Sequence, residues 1–156
     1  MKYSLLTKEQ FEALHDKFAV FLASQQIDAN EWETIKSKQP EVAEQELEVF
    51  SDFVWETILT KVAYLEHYSK QHLNLFYCGD NEIKRIYIKI SNPDTDLSSS
   101  EGLDWLQKNL NNEAVELFKG AKKYSKERNL ELFELIEKGS EISEGKLYKF
   151  ISQSIG

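Results

Sequence analysis

The first part of the chain shows a helical repeat of apolar positions. Thr7 and Gln10 have the form of a capping box, in which each side chain accepts a hydrogen bond from the other residue's backbone N–H. Apolar residues then recur every three or four positions through about Ser24; they are Phe11, Leu14, Phe18, Phe21 and Leu22. This spacing predicts a first helix with one apolar stripe.

Two further helices are predicted before residue 70. Asp28 followed by Glu31 is a helix-start signature, because a side-chain oxygen at the cap accepts a free N–H of the first turn. Pro40 suits the first turn of a third helix, since its fixed φ is already helical. No Gly or Pro interrupts the chain from there to about Leu65, so the pattern indicates one long helix.

The pattern then changes from helical spacing to alternation. Residues 72–78 alternate in polarity, residues 79–82 (Gly-Asp-Asn-Glu) supply turn chemistry, and residues 83–90 alternate again. This arrangement predicts a β-hairpin. A lone hairpin is marginal in water, so it is expected to pack on helices or to recruit another strand.

Beyond a polar loop at residues 91–100, three to four C-terminal helices are predicted. Their apolar positions include Leu103, Leu106, Leu130, Phe133, Leu147 and Ile151. Residues 113–118 fit either a helix capped by Asn112 or a third strand, and the pattern leaves both open. The chain is thus expected to be an α+β fold, predominantly helical: three N-terminal helices, a hairpin or three-stranded antiparallel sheet, then the C-terminal helices.

Composition places the chain among ordinary globular proteins. It has 156 residues, of which 41% are hydrophobic and 29% charged, so we expect one domain over residues 1–156. Cys78 is the single cysteine, which suits a reducing compartment and excludes an internal disulfide. No signal peptide or membrane span is found, so a cytoplasmic location away from the membrane is expected.

The net charge of −8 is concentrated at the N-terminal end. Residues 1–66 carry 13 acidic and 6 basic side chains, while residues 67–156 carry 14 and 13. Four carboxylates recur every four residues along the predicted long helix: Glu44, Glu48, Asp52 and Glu56. This row is typical of a solvated helix face, and it is also our candidate surface for a protein partner.

Two basic features stand out against the acidic background. Arg85, Tyr87 and Lys89 alternate as cation, aromatic and cation on one strand face, the composition of a platform for single-stranded nucleic acid. A second group follows in residues 119–128, and its candidate contacts are Lys122, Lys123, Lys126 and Arg128. If the hairpin packs near that segment, the two features form one patch, which makes an RNA-associated role the alternative.

No metal, cofactor or catalytic site is predicted. Glu12 and His15 have the spacing used in di-iron helical bundles, but the motif occurs once where such a site needs several ligands. His72 and Cys78 lie about 20 Å apart along a straight strand, too far to bind one ion with His67. The six glycines form no phosphate-binding loop or nucleophile elbow.

Several stretches together resemble a family of short uncharacterised bacterial proteins. They are LTKEQFE at residues 6–12, KQPEVAE at 38–44, VFSDFVWE at 49–56, YLEH at 64–67 and FELIEKG at 133–139. The resemblance extends over the whole chain and implies no activity. Some members carry a histidyl-tRNA synthetase label, but 156 mostly helical residues cannot supply the large antiparallel catalytic sheet of that enzyme class. The label therefore only keeps an RNA-related role open.

The leading hypothesis from the sequence is a non-catalytic module that presents its acidic long helix to a protein partner. The first alternative is an RNA-associated accessory protein, and the second is a small-molecule enzyme without a recognisable motif. The sequence leaves the oligomeric state open.

Overall fold

A computed structural model describes residues 1–156 and divides them into two compact units, Met1–Thr60 and Lys61–Gly156. Each unit has its own hydrophobic cluster. This division does not test the expectation of a single domain over residues 1–156, which stays a prediction. None of the helices is both long enough and apolar enough to cross a membrane.

The first unit consists of four helices: α1 (Lys8–Ala13), α2 (His15–Ser24), α3 (Ala29–Lys38) and α4 (Pro40–Lys61), whose last residue already belongs to the second unit. The capping box of Thr7 and Gln10 is confirmed, with N···O distances of 3.2 and 2.8 Å. The prediction of one helix through Ser24 is wrong. Leu14 adopts φ −110° and ψ 16°, so a new helix begins at His15, and no Gly or Pro marks the break.

An aromatic cluster holds the first unit together. The ring of Phe50 on α4 is 1% exposed, and its centroid lies 5.0 Å from that of Phe18 and 5.3 Å from that of Phe21. Trp32 of α3 meets Phe18 edge-on at 5.2 Å. Aromatic rings bury large apolar areas, so this cluster joins α2, α3 and α4 through a few side chains.

The second unit contains a five-stranded antiparallel sheet in the order β4-β3-β2-β1-β5. The strands are β1 (Tyr64–Tyr68), β2 (His72–Cys78), β3 (Glu82–Ile90), β4 (Val115–Lys123) and β5 (Glu141–Ser143). Three helices accompany them: α5 (Ser100–Lys108), α6 (Arg128–Glu137) and α7 (Lys146–Ser154). The α+β class and the hairpin of β2 and β3 are confirmed.

The expectation of two or three strands is wrong. The long helix ends at Lys61 rather than near Leu65, and β1 takes up the following residues by pairing with β2 and β5. Residues 113–118 open a strand instead of a helix. The side chain of Asn112 forms an Asx turn by accepting a hydrogen bond from the N–H of Ala114. From Val115 onward the chain forms backbone hydrogen bonds with β3, which would otherwise have unpaired N–H and C=O groups on that side.

One face of the sheet packs on α5 and α7. The core on this face consists of alternate residues of β2 and β3, the apolar sides of α5 and α7, and one residue of the loop before α5. These core residues are Leu73, Leu75, Ile86, Ile88, Ile90, Leu97, Leu106, Leu147 and Ile151. We call this the packed face. Because side chains alternate along a strand, the residues between these core positions of β2 and β3, and the β4 residues in register with them, point to the opposite side.

The first prediction concerns the contact of α5 with the loop before it. A Cβ atom at Gly102 would lie 1.8 Å from the carbonyl oxygen of Asp96, and backbone cannot yield as a flexible side chain does. Gly102→Ala should therefore lower the free energy of unfolding by about 2–3 kcal/mol in urea denaturation.

Gly120→Ala is the matched control, because nothing lies within 4 Å of the Cβ it adds. Its free energy of unfolding should stay within about 0.5 kcal/mol of the parent protein. Equal stability of the two variants would contradict the close approach at Gly102.

Candidate nucleic-acid interface

The three sequence-predicted residues of β3 lie on the side of the sheet opposite the packed face. Arg85, Tyr87 and Lys89 share this side with alternate residues of both neighbouring strands, as the strand register requires. We call this side the open face; it consists of His72, Asn74 and Phe76 of β2, Arg85, Tyr87 and Lys89 of β3, and Glu116, Phe118 and Gly120 of β4.

Aromatic rings form a continuous row across the open face. The ring centroid of Tyr87 lies 5.8 Å from that of His72 on one side and 5.9 Å from that of Phe118 on the other. The Tyr87 hydroxyl lies 2.5 Å from Nδ1 of His72, which fixes the ring orientation. Phe118 is 55% exposed, so its ring offers an apolar surface to a planar partner.

Arg85 borders this row as an exposed cation. Its guanidinium carbon lies 4.9 Å from the Tyr87 ring centroid, within cation–π distance. Nε and Nη2 both donate to Oδ1 of Asn74, a neutral acceptor, at 2.9 and 2.5 Å. Both protons on Nη1 and one on Nη2 are left over as donors, so the residue can bind an anion without breaking its own contacts.

The basic segment of residues 119–128 does not join the open face as one patch. Lys122 pairs with Glu131 at 3.4 Å and Lys126 with Glu134 at 2.5 Å, so carboxylates of α6 already balance both charges. Lys123 lies opposite Glu82 in the sheet register, on the other side of the sheet from Arg85. Pairing of β4 with β3 brings the segment next to Arg85, but the charges of Lys122 and Lys126 are already paired.

Arg128 has a structural role. Its guanidinium donates to the carbonyl oxygen of Gly79 at 3.0 Å and to those of Cys78 and Val62, at the turn end of the hairpin. The start of α6 is thereby attached to the sheet. Nearby, burial raises the pKa of the Cys78 thiol to about 12, although the Arg128 charge opposes the shift, so this thiol stays protonated at neutral pH.

The predicted acidic row divides into two halves. Asp52 accepts the backbone N–H of Lys2 at 2.7 Å and that of Tyr3 at 2.9 Å. Glu56 accepts the Tyr3 hydroxyl and forms an ion pair with the Lys2 ammonium at 3.4 Å. Asp52 and Glu56 therefore bind the N-terminal segment of the first unit, whereas the carboxylates of Glu44 and Glu48 have no partner in the chain.

Sequence reasoning missed Phe118, Gly120 and the histidine ring of the row. His72 appeared only as a rejected metal ligand, and Phe118 was placed in a segment that fitted helix or strand equally. The polarity of residues 115–120 (Val-Glu-Leu-Phe-Lys-Gly) does not alternate, so the sequence offers no clear signal for a strand that sets Phe118 and Gly120 on one side.

The second prediction concerns Arg128. Arg128→Met leaves the carbonyl groups of Val62 and Cys78 without this donor, so the free energy of unfolding should fall by roughly 2–4 kcal/mol in urea. Lys126→Met removes an exposed ion pair and should cost less than about 1 kcal/mol. Similar losses in the two variants would show that Arg128 is only a surface charge.

Comparison with known proteins identifies the family of the chain but assigns no activity to it. The chain has no match among curated proteins or among solved structures. A family model does match, over residues 1–156, which is the whole chain. The chain therefore belongs to DUF6495, a family of unknown function.

Proposed function

We propose that the second unit is a non-catalytic module that binds single-stranded RNA on its open face. The observation that carries this proposal is the row of half-buried Tyr87 and exposed Phe118 with the guanidinium of Arg85 beside it. Unpaired bases stack on aromatic side chains and on arginine planes, and phosphates pair with the cations next to them. The row supplies both kinds of contact on one surface.

The charge distribution is compatible with this role. The first unit carries 12 acidic and 5 basic residues, a net charge of −7, whereas the second unit carries 15 and 14, a net charge of −1. The acidity of the chain thus lies mainly outside the unit that holds the open face. On that face Arg85 and Lys89 are exposed, with Glu116 as the opposing charge.

The third prediction tests the open face directly. Phe118→Ala removes a stacking surface and should weaken binding of a single-stranded RNA of about eight nucleotides by roughly 5- to 150-fold, as loss of one stacked base does. Arg85→Gln should weaken binding and reduce the slope of log affinity against log salt by about 0.7, the value of one phosphate contact. Fluorescence anisotropy between about 50 and 300 mM salt measures both effects.

Lys84→Gln is the matched control for Arg85→Gln. Lys84 is the adjacent exposed cation, and its register places it on the packed side of the sheet. It should bind RNA with almost the affinity and salt slope of the parent protein. An absence of RNA binding at about 50 mM salt, or an equal loss in Lys84→Gln, would overturn the proposal.

A second candidate function, docking of a protein partner, rests on α4. Glu44 and Glu48 have unpartnered carboxylates, and on the same helix Val49 and Phe53 are 56% and 58% exposed. Glu48 and Val49 are consecutive and lie about 100° apart around the helix, so the acidic and apolar rows are separate. A basic amphipathic helix offers a complement to each of them. We therefore propose that any protein partner of the first unit presents such a helix.

The fourth prediction separates this docking surface from general acidity. Glu44→Gln combined with Glu48→Gln should lower recovery of a basic partner from nuclease-treated lysate by roughly ten-fold, the effect of losing complementary charges at an interface. Glu12→Gln combined with Glu33→Gln removes the same charge elsewhere in the unit and should leave recovery unchanged. Quantitative mass spectrometry of the pull-down gives the result. Equal recovery in all three proteins would exclude this surface.

A further inference from the structure

A groove lies between the open face and α6. Its volume is about 620 Å³, within the range of sites for small molecules. Strands β1 to β4 provide one wall and α6 the other; the polar lining residues are His67, Asn74, Arg85, Lys122, Glu131, Glu134, Lys138 and Ser140.

The cations of the groove are only partly balanced. Oε1 of Glu131 accepts from Lys122 and from the Ser125 hydroxyl, and Glu134 pairs with Lys126 outside the groove. Hydrogen bonding to Lys126, helped by the nearby charge of Lys138, holds the pKa of Glu134 below its usual value. Oε2 of Glu131 is buried and accepts no hydrogen bond. Neither Arg85 nor Lys138 forms an ion pair, although the Lys138 charge lies near enough to Glu134 to act on its pKa. Both cations line the groove, which favours an anionic ligand.

Gly120 leaves the floor of the groove open. Nothing lies within 4 Å of the position a Cβ would take there, so a planar group can rest on the strand backbone. Arg85 and Gly120 also line a shallow depression of about 380 Å³ that includes Tyr87 and Phe118. The groove and the aromatic row are consequently continuous, joined at these two residues.

Arg85 and Gly120 line both the depression and the groove, and α6 forms the far wall of the groove beyond them. We infer that the groove binds a terminal nucleoside monophosphate, with the phosphate between Arg85 and Lys138 and the base over Gly120. Where the monophosphate is the end of an RNA strand, this inference rests on the proposed function of the open face. A free mononucleotide has the same chemistry and is the other source of this ligand.

The roles of the residues follow from their contacts. Arg85 keeps its bonds to Asn74 and offers its remaining N–H groups to the phosphate oxygens, for which a planar fork is well suited. Lys138 supplies a second charge from the far wall. The His67 side chain forms no hydrogen bond within the chain and also lines the groove, with the Nε2 edge of its ring facing Gly139.

The fifth prediction uses three internally labelled RNAs of about eight nucleotides. The first has hydroxyl groups at both ends, the second has a phosphate on its 5′ end, and the third has a phosphate on its 3′ end. One of the two phosphorylated RNAs should bind the full chain about ten-fold more tightly than the RNA without phosphate. Free AMP and UMP should compete with the phosphorylated end of that RNA and lower its affinity to that of the RNA without phosphate. Fluorescence anisotropy at constant salt measures all of these affinities.

Two variants assign the effect to the groove. Gly120→Val fills the floor with a residue that strands favour, and Lys138→Gln removes the distal charge without touching the row. Both should abolish the preference for the phosphorylated end, while RNA without phosphate keeps its affinity in Lys138→Gln. Lys84→Gln, outside the groove, should retain the full preference.

The outcomes separate the groove from the open face. Equal affinity for all three RNAs in the parent protein would overturn the groove inference and leave RNA binding intact. Binding of AMP that Gly120→Val abolishes, without any binding of RNA, would support the groove and overturn the proposed function. Binding of neither RNA nor mononucleotide would overturn both.

Discussion

The pairing of β4 with β3 is the constraint on which the candidate site depends. Its register sets Phe118 beside Tyr87 and Gly120 beside Arg85. A shift of one residue would turn Phe118 and Gly120 to the packed face and bring Leu117 and Lys119 to the open one. The aromatic row and the floor of the groove thus come from one set of backbone hydrogen bonds. No single strand contains either feature.

Local signals in the sequence were enough for part of the fold. The capping box of Thr7, the cap at Asp28 and the turn of the hairpin each involve residues only a few positions apart, and all three are present in the structure. The strands β1 and β5 gave no such signal. They are short, and their pairing joins residues 64–66 to residues 141–143, a contact that no local pattern encodes.

The candidate site shows the same limit. The alternation of Arg85, Tyr87 and Lys89 lies within one strand and was readable from the sequence. The partners of these residues come from other strands, so Phe118 and His72 could not be assigned to them. Likewise, the four acidic residues of α4 looked equivalent. Only the fold shows that Asp52 holds the backbone near Tyr3, about fifty residues away.

β4 forms one edge of the sheet along nine residues, and no other strand pairs with its outer side. An edge of this length can act as a template for another strand. Lys119 and Lys123 are exposed along it and form no ion pair, and like charges repel an incoming copy of the same strand. Growth of the sheet beyond five strands, by edge pairing with another copy of β4, is therefore opposed by electrostatic repulsion at an uncovered edge.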